Sequence, residues 1–198
     1  SHELRTPLSI LKLELENELS EKKNADSARR VKSNLEEVDR MSQIITDLLT
    51  LSRLSENDLY ESSKFSPVNL NRLVSKTNER LANVAKNTNI QLILNLPSSD
   101  VIVTSNELLI EAVVMNCIKN AILYNKPNGT VTTTLSKTNS EAIIIVQDTG
   151  IGMSQDDADK IFDRFYRVDK SRSRQTGGSG LGLSIVKSAI DRLGGKVS

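Results

Sequence analysis

Ser1-His2-Glu3-Leu4-Arg5-Thr6-Pro7-Leu8 opens the chain and carries its only histidine. An apolar stripe runs on from it. Leu4, Leu8, Leu11 and Leu15 recur at intervals of four, three and four residues, which places them on one face of a helix. Lys12, Glu14, Glu16 and Glu18 fall off that face. Glu21 to Asp26 breaks the pattern and reads as a turn. A second stripe follows in Val31, Leu35, Val38, Met41, Ile45 and Leu48. Two helices joined by a short turn make an antiparallel hairpin. A lone hairpin leaves part of its seam in water, and a second copy would cover it. The expectation is a dimeric four-helix bundle, a homodimer through residues 1 to about 55.

The composition excludes several function classes. Of 198 residues, 26% are charged and the formal net charge is +1. There is no basic excess to hold nucleic acid. Aromatics are 3% and tryptophan is absent, which also argues against a base-stacking surface. Cys117 is the only cysteine, sits in an apolar run and reads as a small buried hydrophobe. No apolar run is long enough to span a bilayer, and no signal peptide is visible. The chain begins inside a motif. It therefore reads as a piece of a longer protein, with any membrane segment outside it.

Ser52 to Pro67 is polar and reads as a linker with partial helical extension. Beyond it the pattern changes. A helix is predicted from about Leu70 to Lys86, then short strands at Ile90 to Leu96 and Val101 to Val103. Another helix is predicted from about Asn106 to Tyr124. Lys126-Pro127-Asn128-Gly129 is a turn. Thr130 to Leu135 and Ala142 to Gln147 are β-branched runs expected to pair antiparallel. A long irregular region precedes a closing helix from about Leu183 to Arg192. The mixture predicts an α/β sandwich, with helices on one face of a mostly antiparallel sheet.

Four clusters carry chemistry. His2 falls roughly opposite the leucine stripe, and Thr6 lies one turn along on nearly the same face. Glu3 can take a proton from one ring nitrogen and make the other more nucleophilic. Pro7 is expected to bend the helix just beyond. By itself such a histidine is an ordinary exposed side chain. Asn116 and Asn120 share a helical face and offer hard oxygen ligands, although an asparagine pair alone is common surface polarity. Asp148-Thr149-Gly150-Ile151-Gly152-Met153 follows a strand. Its glycines allow close approach to a flat ligand and its aspartate can accept from an exocyclic amine, yet the first three residues alone are a turn signal. Gly177-Gly178-Ser179-Gly180-Leu181-Gly182 opens the last helix, where backbone amides form an anion site. Leu183 stands where a Walker lysine, or the third glycine of a dinucleotide fingerprint, would be, so the cluster is neither.

Taken together, Ser-His-Glu-Leu-Arg-Thr-Pro-Leu-Ser resembles the H-box of sensor histidine kinases. Asn116 to Asn120 resembles their N-box, Asp148 to Met153 their G1 box, and Gly177 to Gly182 their G2 box. Ile161 to Arg167 is similar to the F-box, with the basic run of Arg167, Lys170, Arg172 and Arg174 as a lid. The likeness covers Ser1 to Gly195 with the motifs in the family's order. It implies a phosphoacceptor and dimerisation hairpin over residues 1–60. It also implies a Bergerat-type (GHKL) ATP-binding α/β domain over residues 65–198, ending before the family's last strands.

By the same resemblance His2 accepts phosphate, Glu3 is the general base and Thr6 positions water for a phosphatase reaction. ATP is implied to meet Asn116, Asn120, Tyr124, Lys126, Asp148, Gly150, Gly152, Phe165, Arg167, Gly178, Gly180, Leu181 and Gly182, with Mg²⁺ on Asn120. Phe162 and Phe165 are expected to anchor the lid. Leu123 departs from the pattern, since many members carry Lys or Arg there. The implied partner is a response-regulator receiver domain, and the implied setting is the cytoplasmic portion of a membrane-anchored bacterial sensor. Two alternatives stay open. The same ATP-binding fold serves enzymes that hydrolyse ATP, in which a glutamate replaces Asn116, and a non-catalytic ATP-sensing scaffold would need no phosphoacceptor.

Overall fold

A computed structural model of the chain describes residues 2–20, 25–55, 65–168 and 179–198. The first part is helical. Helix α1 spans His2–Ser20 and α2 spans Ala25–Ser55. The two pack together, with Val31 and Val38 buried and Lys12 paired to Asp39 at 2.5 Å. Leu8, Leu15, Leu35 and Ile45 are half-buried, while Leu11, Met41 and Leu48 remain exposed. Helix α1 runs on through Pro7 without interruption. Among the described residues, no helix is long and apolar enough to cross a membrane.

The second part is an α/β domain. Its elements are β1 (Ser66–Asn69), α3 (Leu70–Asn87), β2 (Gln91–Asn95), β3 (Ile102–Ser105), α4 (Glu107–Leu123), β4 (Thr130–Lys137) and β5 (Ala142–Asp148), then α5 (Gln155–Ala158) and α6 (Gly182–Arg192). Both long inner helices start on an asparagine cap. Asn69 Oδ1 accepts from the Arg72 N–H at 3.0 Å, and Asn106 Oδ1 accepts from the Leu109 N–H at 3.2 Å. The central strand β4 alternates strictly, with Val131, Thr133 and Leu135 turned into the core. One core joins Leu73, Val74 and Leu81 of α3 to Val114 and Ile118 of α4 and to Val131 and Leu135 of β4.

Helix α4 is apolar nearly all round because it is covered on both sides. Ile110, Val114, Ile118 and Ile122 enter the sheet-side core, and Leu109 and Val113 meet α6 and α2. On α2, Ile44, Leu51 and Leu54 form a second apolar stripe away from α1. They pack with Leu109, Leu181, Ile185 and Ala189.

The structure corrects several expectations. Among the described residues there are two sheets, a β1-β3 ribbon and a three-stranded sheet of order β2-β4-β5. Strands β4 and β5 are antiparallel as expected, but β2 runs parallel to β4. Between β2 and β4 the chain crosses over through β3 and α4, and such a crossover delivers the next strand in the same direction. The linker expected over residues 52–67, with partial helical extension, differs at its end, where Ser66 and Pro67 belong to a strand. Helix α2 continues to Ser55 and β1 begins at Ser66, while residues 56–64 lie outside the described residues. Pro67 is tolerated in β1 because that strand has a single neighbour, β3. The region after Asp148 contains α5, whose start is capped by the Ser154 hydroxyl.

Candidate nucleotide site

Asn116 and Asn120 lie half-buried on the face of α4 that looks toward the start of α6. Asn116 Nδ2 donates to the Ala112 carbonyl at 2.8 Å, which leaves its Oδ1 facing Gly182. A methyl group on Gly182 would stand 2.9 Å from Asn116 Oδ1 and 3.8 Å from Asn120 Nδ2. A side chain there would have to push the Asn116 amide aside, so glycine lets the α6 start come this close to the asparagines as they stand. Leu181, just before α6, is fully buried.

The Asp148 turn is seated on the other end of α4. Asp148 is exposed and its Oδ1 accepts from the Gly150 N–H at 2.7 Å. A side chain on Gly150 would fall 2.4 Å from the Tyr124 carbonyl oxygen, which already accepts from the Ile151 N–H at 3.2 Å. Gly152 has φ +66, the left-handed region that glycine enters without steric cost. Tyr124 and Lys126 are exposed at the rim.

Sequence reasoning missed Asn125 and Thr149, which hold this rim together. Asn125 Nδ2 donates to the carbonyls of Ala121 and Thr130 at 3.1 and 3.0 Å. Its Oδ1 accepts from the Thr149 hydroxyl at 3.2 Å and from the Lys126 N–H at 3.0 Å. Thr149 Oγ1 in turn accepts from the Thr130 N–H at 2.9 Å. An asparagine directly after a helix and before Lys-Pro was the available signal, since its side chain mimics a backbone turn.

The F-box-like segment meets the glycine cluster through the backbone. The Phe165 N–H donates to the Gly180 carbonyl at 2.9 Å. Gly180 has φ +72, and a methyl group there would lie 3.1 Å from Phe165 Cα. The expected anchoring by Phe165 is overturned. Its ring is 58% exposed on a residue with φ +63, and it is Phe162 that is half-buried. The segment is pinned instead by the Tyr166 hydroxyl, which donates to Asp157 Oδ1 at 2.6 Å. Hydrogen bonds from Ser154 and then Tyr166 hold the Asp157 carboxyl below its ordinary range, and the same bond to Asp157 raises the Tyr166 phenol.

Arg167 is half-buried beside this segment. Gly178 and the basic run of Lys170, Arg172 and Arg174 lie outside the described residues, as do the side chains of His2, Glu3 and Thr6. The Cys117 thiol is pushed up to about 11 by burial and stays neutral, as a packed small side chain should. Among the described residues no three His, Cys, Asp or Glu side chains gather as a metal site. A divalent ion here would therefore rest on amide oxygens and on the ligand's own phosphates, a donor set of hard oxygens that suits Mg²⁺.

The described residues thus form a helical part followed by an α/β domain whose glycine-led helix faces two asparagines. Comparison with known families agrees. Residues 1–57 match the His Kinase A (phospho-acceptor) domain, and residues 105–198 match the histidine kinase-, DNA gyrase B- and HSP90-like ATPase family. The chain is 41% identical over 191 residues to the sensor histidine kinase RppB of Synechocystis sp., covering 94% of this chain and 41% of that protein. It is 37% identical over 202 residues to the sensor histidine kinase WalK of Bacillus subtilis, covering 100% of this chain and 32% of WalK. It thus spans less than half the length of these relatives. Among solved structures, full-length ShkA in complex with AMPPNP matches with a TM-score of 0.71 and 25% identity, over 98% of this chain and 40% of ShkA. The chain belongs to the sensor histidine kinase family.

Proposed function

We propose that the chain is the kinase core of a two-component sensor: it binds Mg²⁺-ATP in the α/β domain, phosphorylates His2 and passes the phosphoryl group to an aspartate of a response-regulator receiver domain. The observation that carries this reading is the juxtaposition of Asn116, Asn120 and Gly182, with the Asp148 turn fastened to the end of the same helix. The α6 start offers backbone amides to phosphates, and Asp148 offers an acceptor to an adenine amino group. The amide oxygen of Asn120 would hold Mg²⁺, which when bound neutralises charge on the phosphates. Leu123 contributes no cation, so Lys126 and the lid arginines take that role.

In the proposed step a ring nitrogen of His2 forms a bond to the γ-phosphorus, and the bond from that phosphorus to the bridging oxygen breaks, releasing ADP. Glu3 accepts the proton from the other ring nitrogen. The phosphoramidate so formed is reactive enough to give its phosphoryl group to a carboxylate. Thr6 positions a water for the opposing phosphatase reaction. Residues 1–60 act as the dimerising phosphoacceptor unit and residues 65–198 as the nucleotide unit, in the cytoplasmic portion of a membrane-anchored bacterial sensor. Hydrolysis of ATP is disfavoured, because the amide of Asn116 cannot serve as a general base.

Calorimetric titration with a non-hydrolysable ATP analogue tests the assignment. Binding should require Mg²⁺, survive His2→Gln and be lost in Asn120→Ala. Wild-type binding by Asn120→Ala, with its dependence on Mg²⁺ unchanged, would refute the metal assignment.

A further inference from the structure

Helix α2 reaches both phosphate-side motifs of the α/β domain through one pair of side chains. Asp47 is 7% exposed, and its carboxylate accepts from Gln43 Nε2 at 2.7 Å and from the Ser179 hydroxyl at 2.6 Å. The Ser179 oxygen also accepts from the Leu181 N–H at 3.2 Å. On the other side, Gln43 Oε1 accepts from Lys119 Nζ at 3.5 Å, and Lys119 stands between Asn116 and Asn120. Below this pair Leu51 and Leu54 pack against Leu109, Leu181 and Ile185. A buried carboxylate therefore sits against the glycine cluster, and its hydroxyl partner occupies the amide of Leu181.

We propose that Asp47 is a positioning residue whose hydrogen bond through Ser179 to the Leu181 amide makes docking on α2 and nucleotide binding mutually opposing. The proposal rests on the nucleotide reading above. Two physical effects give its sign. The Leu181 N–H is satisfied by Ser179 while α2 is docked, so it is not offered to a phosphate. The carboxylate also places negative charge beside a loop that is to receive a polyphosphate, and like charges there disfavour both occupants at once. By linkage, whatever α2 docking takes from nucleotide affinity, nucleotide takes from docking by the same factor. Asp47 thereby ties release of the α/β domain from the hairpin to nucleotide occupancy.

The test uses the full chain, a non-hydrolysable ATP analogue with Mg²⁺, and two readouts: analogue affinity by calorimetry and radius of gyration by small-angle scattering. Asp47→Ala should bind the analogue about five- to tenfold more tightly than wild type, at the low end of ordinary coupling between sites. Asp47→Asn, which keeps a hydrogen-bond acceptor and drops the charge, should fall between the two. Without nucleotide, Asp47→Ala should already show the larger radius that wild type reaches only when the analogue is added. Circular dichroism checks that the variants are folded, and Asp47→Asn serves if Asp47→Ala is not. Wild-type binding with affinity in both variants unchanged within twofold, or weaker, would overturn the latch and leave the nucleotide reading standing. A wild-type chain that does not bind the analogue would overturn both.

Discussion

Ile118, at the middle of α4, is fully buried, whereas Leu11, on the first apolar stripe of the chain, is 44% exposed. Both are aliphatic residues on helices whose spacing calls for burial. The difference lies in what their surroundings supply. The α/β domain is enclosed: α3 and α4 lie against the strands, α4 is covered again by α6 and by α2 of the hairpin, and Arg80 of α3 pairs with Glu111 of α4. The hairpin has two helices and one mutual seam. Leu11, Met41 and Leu48 are left over on its surface, a face that a second hairpin fits. One unit is therefore enclosed within the chain, and under the function proposed above the other is completed by a second copy, which suits a rigid nucleotide holder beside a shared phosphoacceptor.

The comparison breaks first at the hairpin. Leu11→Glu should dissociate the dimer. Burying a leucine is worth about 1.5–3 kcal/mol per copy, and two-fold symmetry counts the loss twice. Sedimentation equilibrium should show monomer, while analogue binding by the α/β domain stays at the wild-type level. Next comes Ile118→Ala, which should leave a cavity and lower stability by about 2–5 kcal/mol without changing subunit mass. Denaturant unfolding followed by circular dichroism checks it. An effect on association instead of stability would mean the closed and open units have been confused.

A smaller effect belongs to Gly180→Ala. A side chain there meets left-handed backbone at φ +72 and the Phe165 backbone at 3.1 Å. A strain of about 1–3 kcal/mol is expected, seen as weaker analogue binding in calorimetry with a modest fall in melting temperature. The smallest concerns Cys117. With its thiol pushed up to about 11, it should react slowly with a thiol reagent at pH 8 when folded and fast in denaturant. Prompt labelling of the native chain would show that α4 is less enclosed than described.

Much of this was legible in the residues. The hairpin, helices α3 and α4 and the β4-β5 pair followed from period, turn chemistry and β-branched runs. The parallel pairing of β2 was not, because strand direction depends on the path taken by α4 and leaves no mark in the strand itself. The second stripe of α2 was hidden by the first: Ile44, Asp47, Leu51 and Leu54 repeat at three, four and three residues, on a face that meets another unit. At the site, Asn116, Asn120, Asp148 and the glycines stood out by type and spacing. Asn125 and Thr149 did not, since their importance lies in the two hydrogen bonds by which Thr149 joins Asn125 and Thr130, 24 and 19 residues away. The exposed ring of Phe165 likewise could not be read from an aromatic in an apolar-looking motif.

Under the proposed function the nucleotide unit phosphorylates His2 of the hairpin. Incubating the chain with Mg²⁺ and ATP labelled on the γ-phosphate, beside His2→Gln, tests it most directly. The account predicts protein-bound label that is lost in acid, stable in base and absent from His2→Gln. Label that survives acid or persists in His2→Gln would contradict it, as would release of free phosphate with no labelled protein.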